Sequence, residues 1–137
     1  MSLVVFDLDG TLVDSREDLA ASTNDVLVGA GGHPLPVDDV VQMVGDGART
    51  LVQRAVARAG LDLDLDVALA EFHRCYARRL LDTTRPYDGV NTLLQALSGA
   101  VPLAVLTNKP LEPTIRLLDH FGWTGMFGRV IGGDGPF

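Results

Sequence analysis

Leu3-Val4-Val5-Phe6-Asp7-Leu8-Asp9-Gly10-Thr11 is the stretch on which the fold turns. Its first four residues are apolar, two of them β-branched, with no polar alternation. A run this short, and apolar on both faces, reads as a strand buried in a parallel sheet. It feeds directly into two acids and a glycine. Two later stretches repeat the plan: Val101-Pro102-Leu103-Ala104-Val105-Leu106 ends at Thr107-Asn108-Lys109, its proline tolerated at the start, and Val130-Ile131 runs into Gly132-Gly133-Asp134-Gly135.

Between and after these strands the period changes from two to about 3.6. Ser15 with Asp18 three residues on is a capping signature, and Leu19, Val26, Leu27 and Ala30 follow at helical spacing until Gly29, Gly31 and Gly32 stop them. A second helix begins near Gly45-Asp46-Gly47 and ends at Gly60, and a third runs from about Asp66 to Leu81. Asp88-Gly89 opens another that stops at Gly99, and a last one spans Glu112 to Phe121. Strand, helix, strand, helix, strand is an α/β pattern: a doubly wound, Rossmann-like parallel sheet with three strands visible. The all-helical stretch, residues 15–83, is read as a domain inserted into a sheet domain made of residues 1–14 and 84–137.

Composition narrows the function. Of 137 residues 47% are apolar and 21% charged, enough burial to offset chain entropy and so to exclude disorder. Eleven Lys plus Arg stand against 18 Asp plus Glu, a net charge of −7 that disfavours a nucleic-acid partner. Cys75 is a lone cysteine, which points to a reducing compartment. No apolar run approaches the roughly 20 residues of a membrane span, and no leader pattern precedes the first strand. The expectation is a cytoplasmic protein with no membrane partner.

Ligands of doubly wound sheets lie beyond the carboxyl ends of the strands, where Asp7, Asp9, Thr107 and Asn108 fall. Asp7 and Asp9 are one residue apart, so in an extended chain their side chains point the same way and repel. A cation relieves such a pair, and hard oxygen donors suit Mg²⁺. Each feature also has a plainer reading. Asp-x-Asp-Gly occurs in solvated turns and Thr107-Asn108 serves as a helix N-cap. Gly45-Asp46-Gly47-Ala48-Arg49 is either a helix start that receives a substrate carboxylate on Arg49 or a solvated helix face. Cys75 and Trp123 read as core, and Asp62, Asp64 and Asp66 as a turn into the third helix.

Asp7-Leu8-Asp9-Gly10-Thr11-Leu12-Val13-Asp14-Ser15 resembles the first signature of the haloacid dehalogenase superfamily, and Leu106-Thr107-Asn108-Lys109-Pro110 resembles its second. The helical insert is similar to the four-helix cap of one subclass, and the nearest likeness is to phosphoglycolate phosphatases. The resemblance implies that Asp7 is the nucleophile, forming an aspartyl-phosphate that water hydrolyses, and that Asp9 is the general acid and base. It implies Mg²⁺ held by the Asp7 side chain and the Asp9 backbone carbonyl, with Gly10, Thr107 and Asn108 around the phosphate and Arg49 toward the rest of the substrate. That substrate is a small phosphorylated metabolite, a monoester such as 2-phosphoglycolate. Asp9 separates the chain from dehalogenases, whose leaving halide needs no proton, and Thr11 resembles phosphatases more than sugar-phosphate mutases. The alternatives are a non-catalytic phosphate-ester binding or assembly fragment, or another phosphotransferase of the superfamily such as a pyrophosphatase or mutase.

Members of that superfamily carry a third signature, a lysine usually followed by proline, and a fourth, an acidic pair. Neither has a counterpart in these residues. The expectation is a piece of a longer enzyme, truncated before both signatures and impaired by itself, with the Asp7 strand left at a sheet edge through which it self-associates. Lys109, the one lysine, is not expected to replace the absent one, nor Asp134 the absent acids.

Overall fold

The computed structural model describes residues 2–134. In chain order its elements are β1 (Val4–Phe6), β2 (Val13–Asp14), α1 (Arg16–Gly29), α2 (Val37–Val41), α3 (Ala48–Arg58), α4 (Leu65–Arg79), β3 (Arg85–Pro86), α5 (Val90–Ser98), β4 (Leu103–Leu106), α6 (Leu111–His120), a 3-10 turn at Thr124–Met126, and β5 (Arg129–Ile131). They divide into two compact units, one formed by the chain up to Asp14 and again from Arg85, the other by Ser15–Thr84.

The first unit is built on a parallel sheet of order β1-β4-β5. Val5 lies beside Ala104, and Val105 beside Val130, so three apolar runs are in register. Leu103 and Val105 point into a core with Leu94, Leu117, Leu118 and Trp123. The indole N–H of Trp123 donates to Asn91 Oδ1 at 2.7 Å, which satisfies the polar end of a buried ring. Phe127 meets Phe6 edge to face. Trp123 is therefore a packing residue, as the sequence reading had it. Among the described residues β1 is an edge strand, where the sequence expectation put it. One element escaped that reading: β2 and β3 form an antiparallel ladder pairing Val13 with Pro86 and Asp14 with Arg85. Two residues per strand, one of them proline, leave no periodicity to detect.

The second unit is four helices. Leu19, Val26 and Leu27 of α1 meet Leu51, Val52 and Ala55 of α3 and Phe72, Cys75 and Tyr76 of α4 in one apolar core. Phe72 stacks on Tyr76 one turn along, and Cys75 is buried. Asp64 accepts a hydrogen bond from the Val67 N–H and caps α4, which makes the alternating acids a turn as read. The short α2 was not anticipated, because five residues behind Pro36 show no full amphipathic period. The capping role read for Asp18 is corrected. Ser15 makes no side-chain cap, and the Asp18 carboxylate instead accepts the N–H and O–H groups of Thr83 and Thr84 at 2.7 to 3.1 Å. Buried and fully hydrogen-bonded, it ties the two ends of this unit together. Arg79 of α4 donates two hydrogen bonds to Asp25 of α1, and that contact raises the guanidinium pKa.

Candidate active site at the strand ends

The chain stops being extended immediately after Phe6. The carbonyl of Leu8 accepts three N–H groups, from Thr11, Leu12 and Val13, and Gly10 N–H donates to Val13 O. This folds residues 8–13 into a tight loop anchored by the buried Leu8 and Leu12. Gly10 has φ of +79°, a conformation that residues with a Cβ rarely adopt. Asp7 leaves the strand with its Oδ1 accepting the Leu8 N–H at 2.7 Å. Asp9 sits one residue further along the turned chain.

The second wall comes from the end of β4. Thr107 is buried, its N–H bonded to Ile131 O, and its Oγ1 accepts the Lys109 N–H at 3.1 Å. A hydroxyl that accepts in this way keeps its own proton for another acceptor. The helix-cap reading of Thr107 is corrected: α6 begins at Leu111 with Pro110 in the capping position, and the Thr107 hydroxyl accepts instead from an N–H of the loop before it. The loop from Asn108 to Leu111 is braced from behind by β5. Gly133 N–H donates to Lys109 O, and Asp134 Oδ1 accepts the Leu111 N–H at the start of α6. A Cβ on Gly133 would stand 2.1 Å from Asn108 O, and one on Gly132 would stand 2.6 Å from Leu111 N, so only glycine fits at either position. Asp134 thus satisfies a backbone N–H in the first turn of α6.

Lys109 is the residue whose role sequence reasoning missed. Its side chain is only 4% exposed and its ammonium lies 3.3 Å from Asp9 Oδ2. Burial lowers its pKa, while the charges of Asp9 and Asp7 act the other way. A cation beside Asp9 therefore offsets from within the chain part of the repulsion expected between Asp7 and Asp9.

Arg49 is placed differently. It lies on α3 in the helical unit, and its guanidinium pairs with Asp66 at 2.9 Å, both side chains exposed. Asp46, one residue before the Gly47 start of α3, is likewise taken up by Arg54. The strand-end loops thus bring together Asp7, Asp9, Gly10, Thr107, Asn108 and Lys109.

A family model for haloacid dehalogenase-like hydrolases matches residues 1–136. The chain belongs to that family. Two of its similar relatives are phosphoglycolate phosphatases: one from Agrobacterium fabrum, 40% identical over 96% of this chain, and one from Caulobacter vibrioides, 42% identical over 96%. The chain spans 58% and 57% of the length of these two proteins. The crystal structure of a predicted phosphoglycolate phosphatase from Haemophilus somnus superposes with a TM-score of 0.92 at 34% identity, covering 98% of this chain and 63% of that one. The fold of this family member is α/β, a parallel sheet in one unit and the helices of residues 15–84 in the other.

The donor set fits a hard divalent cation in kind. Asp7 and Asp9 would offer a carboxylate and a carbonyl oxygen at one loop, and Mg²⁺ needs only one or two carboxylates because it retains waters. Among the described residues no third His, Cys, Asp or Glu joins them. Among the same residues no helix is long and apolar enough to cross a membrane.

Proposed function

We propose that the strand-end cluster is the site of a Mg²⁺-dependent phosphatase acting on a small phosphate monoester such as 2-phosphoglycolate. The observation that carries this reading is the juxtaposition of two acids, a buried ammonium and a hydroxyl at the ends of neighbouring parallel strands. Relatives named phosphoglycolate phosphatase, similar along 96% of the chain, supply the substrate class.

Asp7 attacks phosphorus through a carboxylate oxygen, forming an aspartyl-phosphate as the ester P–O bond breaks. Asp9, a carboxylate paired with Lys109 in the resting site, receives a proton with the bound substrate, gives it to the departing alkoxide, then takes one from the water that attacks the acyl-phosphate. Inorganic phosphate leaves and the Asp7 carboxylate is restored. The Thr107 hydroxyl and the Asn108 N–H donate to the phosphoryl oxygens, and Gly10 lets the backbone approach them closely. Lys109 adds fixed positive charge beside the acids, where phosphoryl transfer depends chiefly on positioning and electrostatics. Mg²⁺, when bound by the Asp7 carboxylate and Asp9 carbonyl, would supply further charge against the repulsion between carboxylate and phosphate.

Hydrolysis of 2-phosphoglycolate and p-nitrophenyl phosphate, with Mg²⁺ and with chelator, tests this. The reading expects Mg²⁺-dependent phosphate release that Asp7→Asn abolishes. Release that persists in Asp7→Asn would refute the nucleophile assignment. Saturable binding of 2-phosphoglycolate without turnover would reduce the site to phosphate-ester binding.

A further inference from the structure

One cation is built into the strand ends. The Lys109 side chain is 4% exposed, and its ammonium stands 3.3 Å from Oδ2 of the Asp9 carboxylate, itself 17% exposed. The charge of Asp7 acts on it as well as that of Asp9. The Lys109 backbone is tied on both sides: its N–H donates to Thr107 Oγ1 at 3.1 Å, and its carbonyl accepts from Gly133 N–H at 2.8 Å. The segment has no slack behind it, since a Cβ on Gly133 would already lie 2.1 Å from Asn108 O. Buried stem and anchored backbone together make the ammonium a fixed charge of the site.

The sign of the charges decides what such a residue does there. Two carboxylates attract a divalent cation and repel a phosphate dianion. An ammonium held beside them opposes both tendencies: it repels the metal ion and attracts the phosphate group. Water and salt screen these effects weakly, because the pair is buried and Coulomb interactions grow as the surrounding dielectric falls. Thr107 favours the same ligand. Its hydroxyl accepts the Lys109 N–H and keeps a proton for another acceptor, so it donates to a phosphate oxygen and adds no charge toward a metal ion.

We propose that Lys109 sets the balance of the strand-end site between its two ligands, weakening its hold on a divalent cation and strengthening its hold on a phosphate group, so that phosphate binds there without metal. The inference rests on the reading of this cluster as a phosphate-ester site and adds to it a division of labour: the chain's own cation retains the anion, and the metal is needed for turnover. A lysine that only shaped the loop would, when replaced, move both affinities in one direction. A lysine that acts by its charge moves them in opposite directions.

Inorganic phosphate and Mg²⁺, titrated separately into the full 137-residue chain, test this. The chelator-treated parent is expected to bind phosphate saturably, with a shift of the ε-methylene resonance of Lys109, the one lysine. In Lys109→Gln, calorimetry should find phosphate bound at least tenfold more weakly and Mg²⁺ at least tenfold more tightly. A fall in both affinities overturns the proposal, as do two unchanged affinities. Absence of saturable phosphate binding by the chelator-treated parent overturns it too, and that arm decides alone if the fluorescence of Trp123 shows Lys109→Gln unfolded. The phosphatase reading fails by a different result. Release of phosphate from 2-phosphoglycolate by a parent that binds phosphate only with Mg²⁺ sinks this inference and keeps that reading, whereas metal-free phosphate binding without turnover in Mg²⁺ does the reverse.

Discussion

Two ion pairs, one at the strand ends and one on the helical insert, separate what a charge pattern suggests from what a fold commits. Arg49 and Asp66 are 2.9 Å apart, whereas Lys109 and Asp9 are 3.3 Å apart. The shorter pair is nevertheless the weaker one. Its side chains are 58% and 81% exposed, so water and salt screen it, while those of Lys109 and Asp9 are 4% and 17% exposed. Burial, rather than separation, fixes Lys109 beside Asp9, whereas the Arg49 guanidinium lies exposed on its helix. Lys109 is held there by neighbours that have no room to move, because Gly132 and Gly133 of the β5 end press on the loop that carries it.

That contrast can be broken most severely at Gly133. Gly133→Ala drives a methyl into the Asn108 carbonyl, and urea denaturation should show a loss of about 3 kcal/mol or no folded protein at all. Next comes Lys109→Met, which removes the cation and leaves the acid pair uncompensated, at a cost of roughly 2 to 4 kcal/mol. The double variant Lys109→Met/Asp9→Asn should recover a good part of that loss if the pair is what matters. A smaller effect concerns protonation. Burial lowers the Lys109 pKa from the ordinary lysine value of 10.5. Because the folded state then releases its proton at lower pH than the unfolded chain, Lys109 contributes stability that rises with pH in the window just below 10.5. Lys109 is the only lysine, so its ε-methylene resonance titrates without overlap, and a midpoint below 10.5 is expected. The smallest change is Arg49→Ala, expected to stay within about 0.5 kcal/mol of the parent in the same denaturation assay.

The strands and the acids were legible because their signals are local. A β-branched run ending in Asp-x-Asp-Gly states both an element and its terminus within nine residues. The helical insert was legible for the same reason, through apolar stripes closed by glycines. What stayed hidden depends on partners far along the chain. Asp18 three residues after Ser15 looks the same whether it caps its own helix or accepts from Thr83 and Thr84, and only the fold decides between them. The position of Lys109 beside Asp9 follows from β1 lying next to β4, which no spacing encodes. Gly132-Gly133 did carry a signal, a dipeptide without side chains where a strand ends, but the close approach it permits needs the opposing loop to be known.

The central claim is that the loops after β1 and β4 form one phosphate-ester site. Amide chemical shifts of the ¹⁵N-labelled chain, titrated with 2-phosphoglycolate in the presence of Mg²⁺, test it most directly. The account predicts saturable shifts concentrated at Asp9, Gly10, Thr107 and Asn108. Saturable shifts that leave those four amides unmoved and gather on the helices between Arg16 and Arg79 would contradict it.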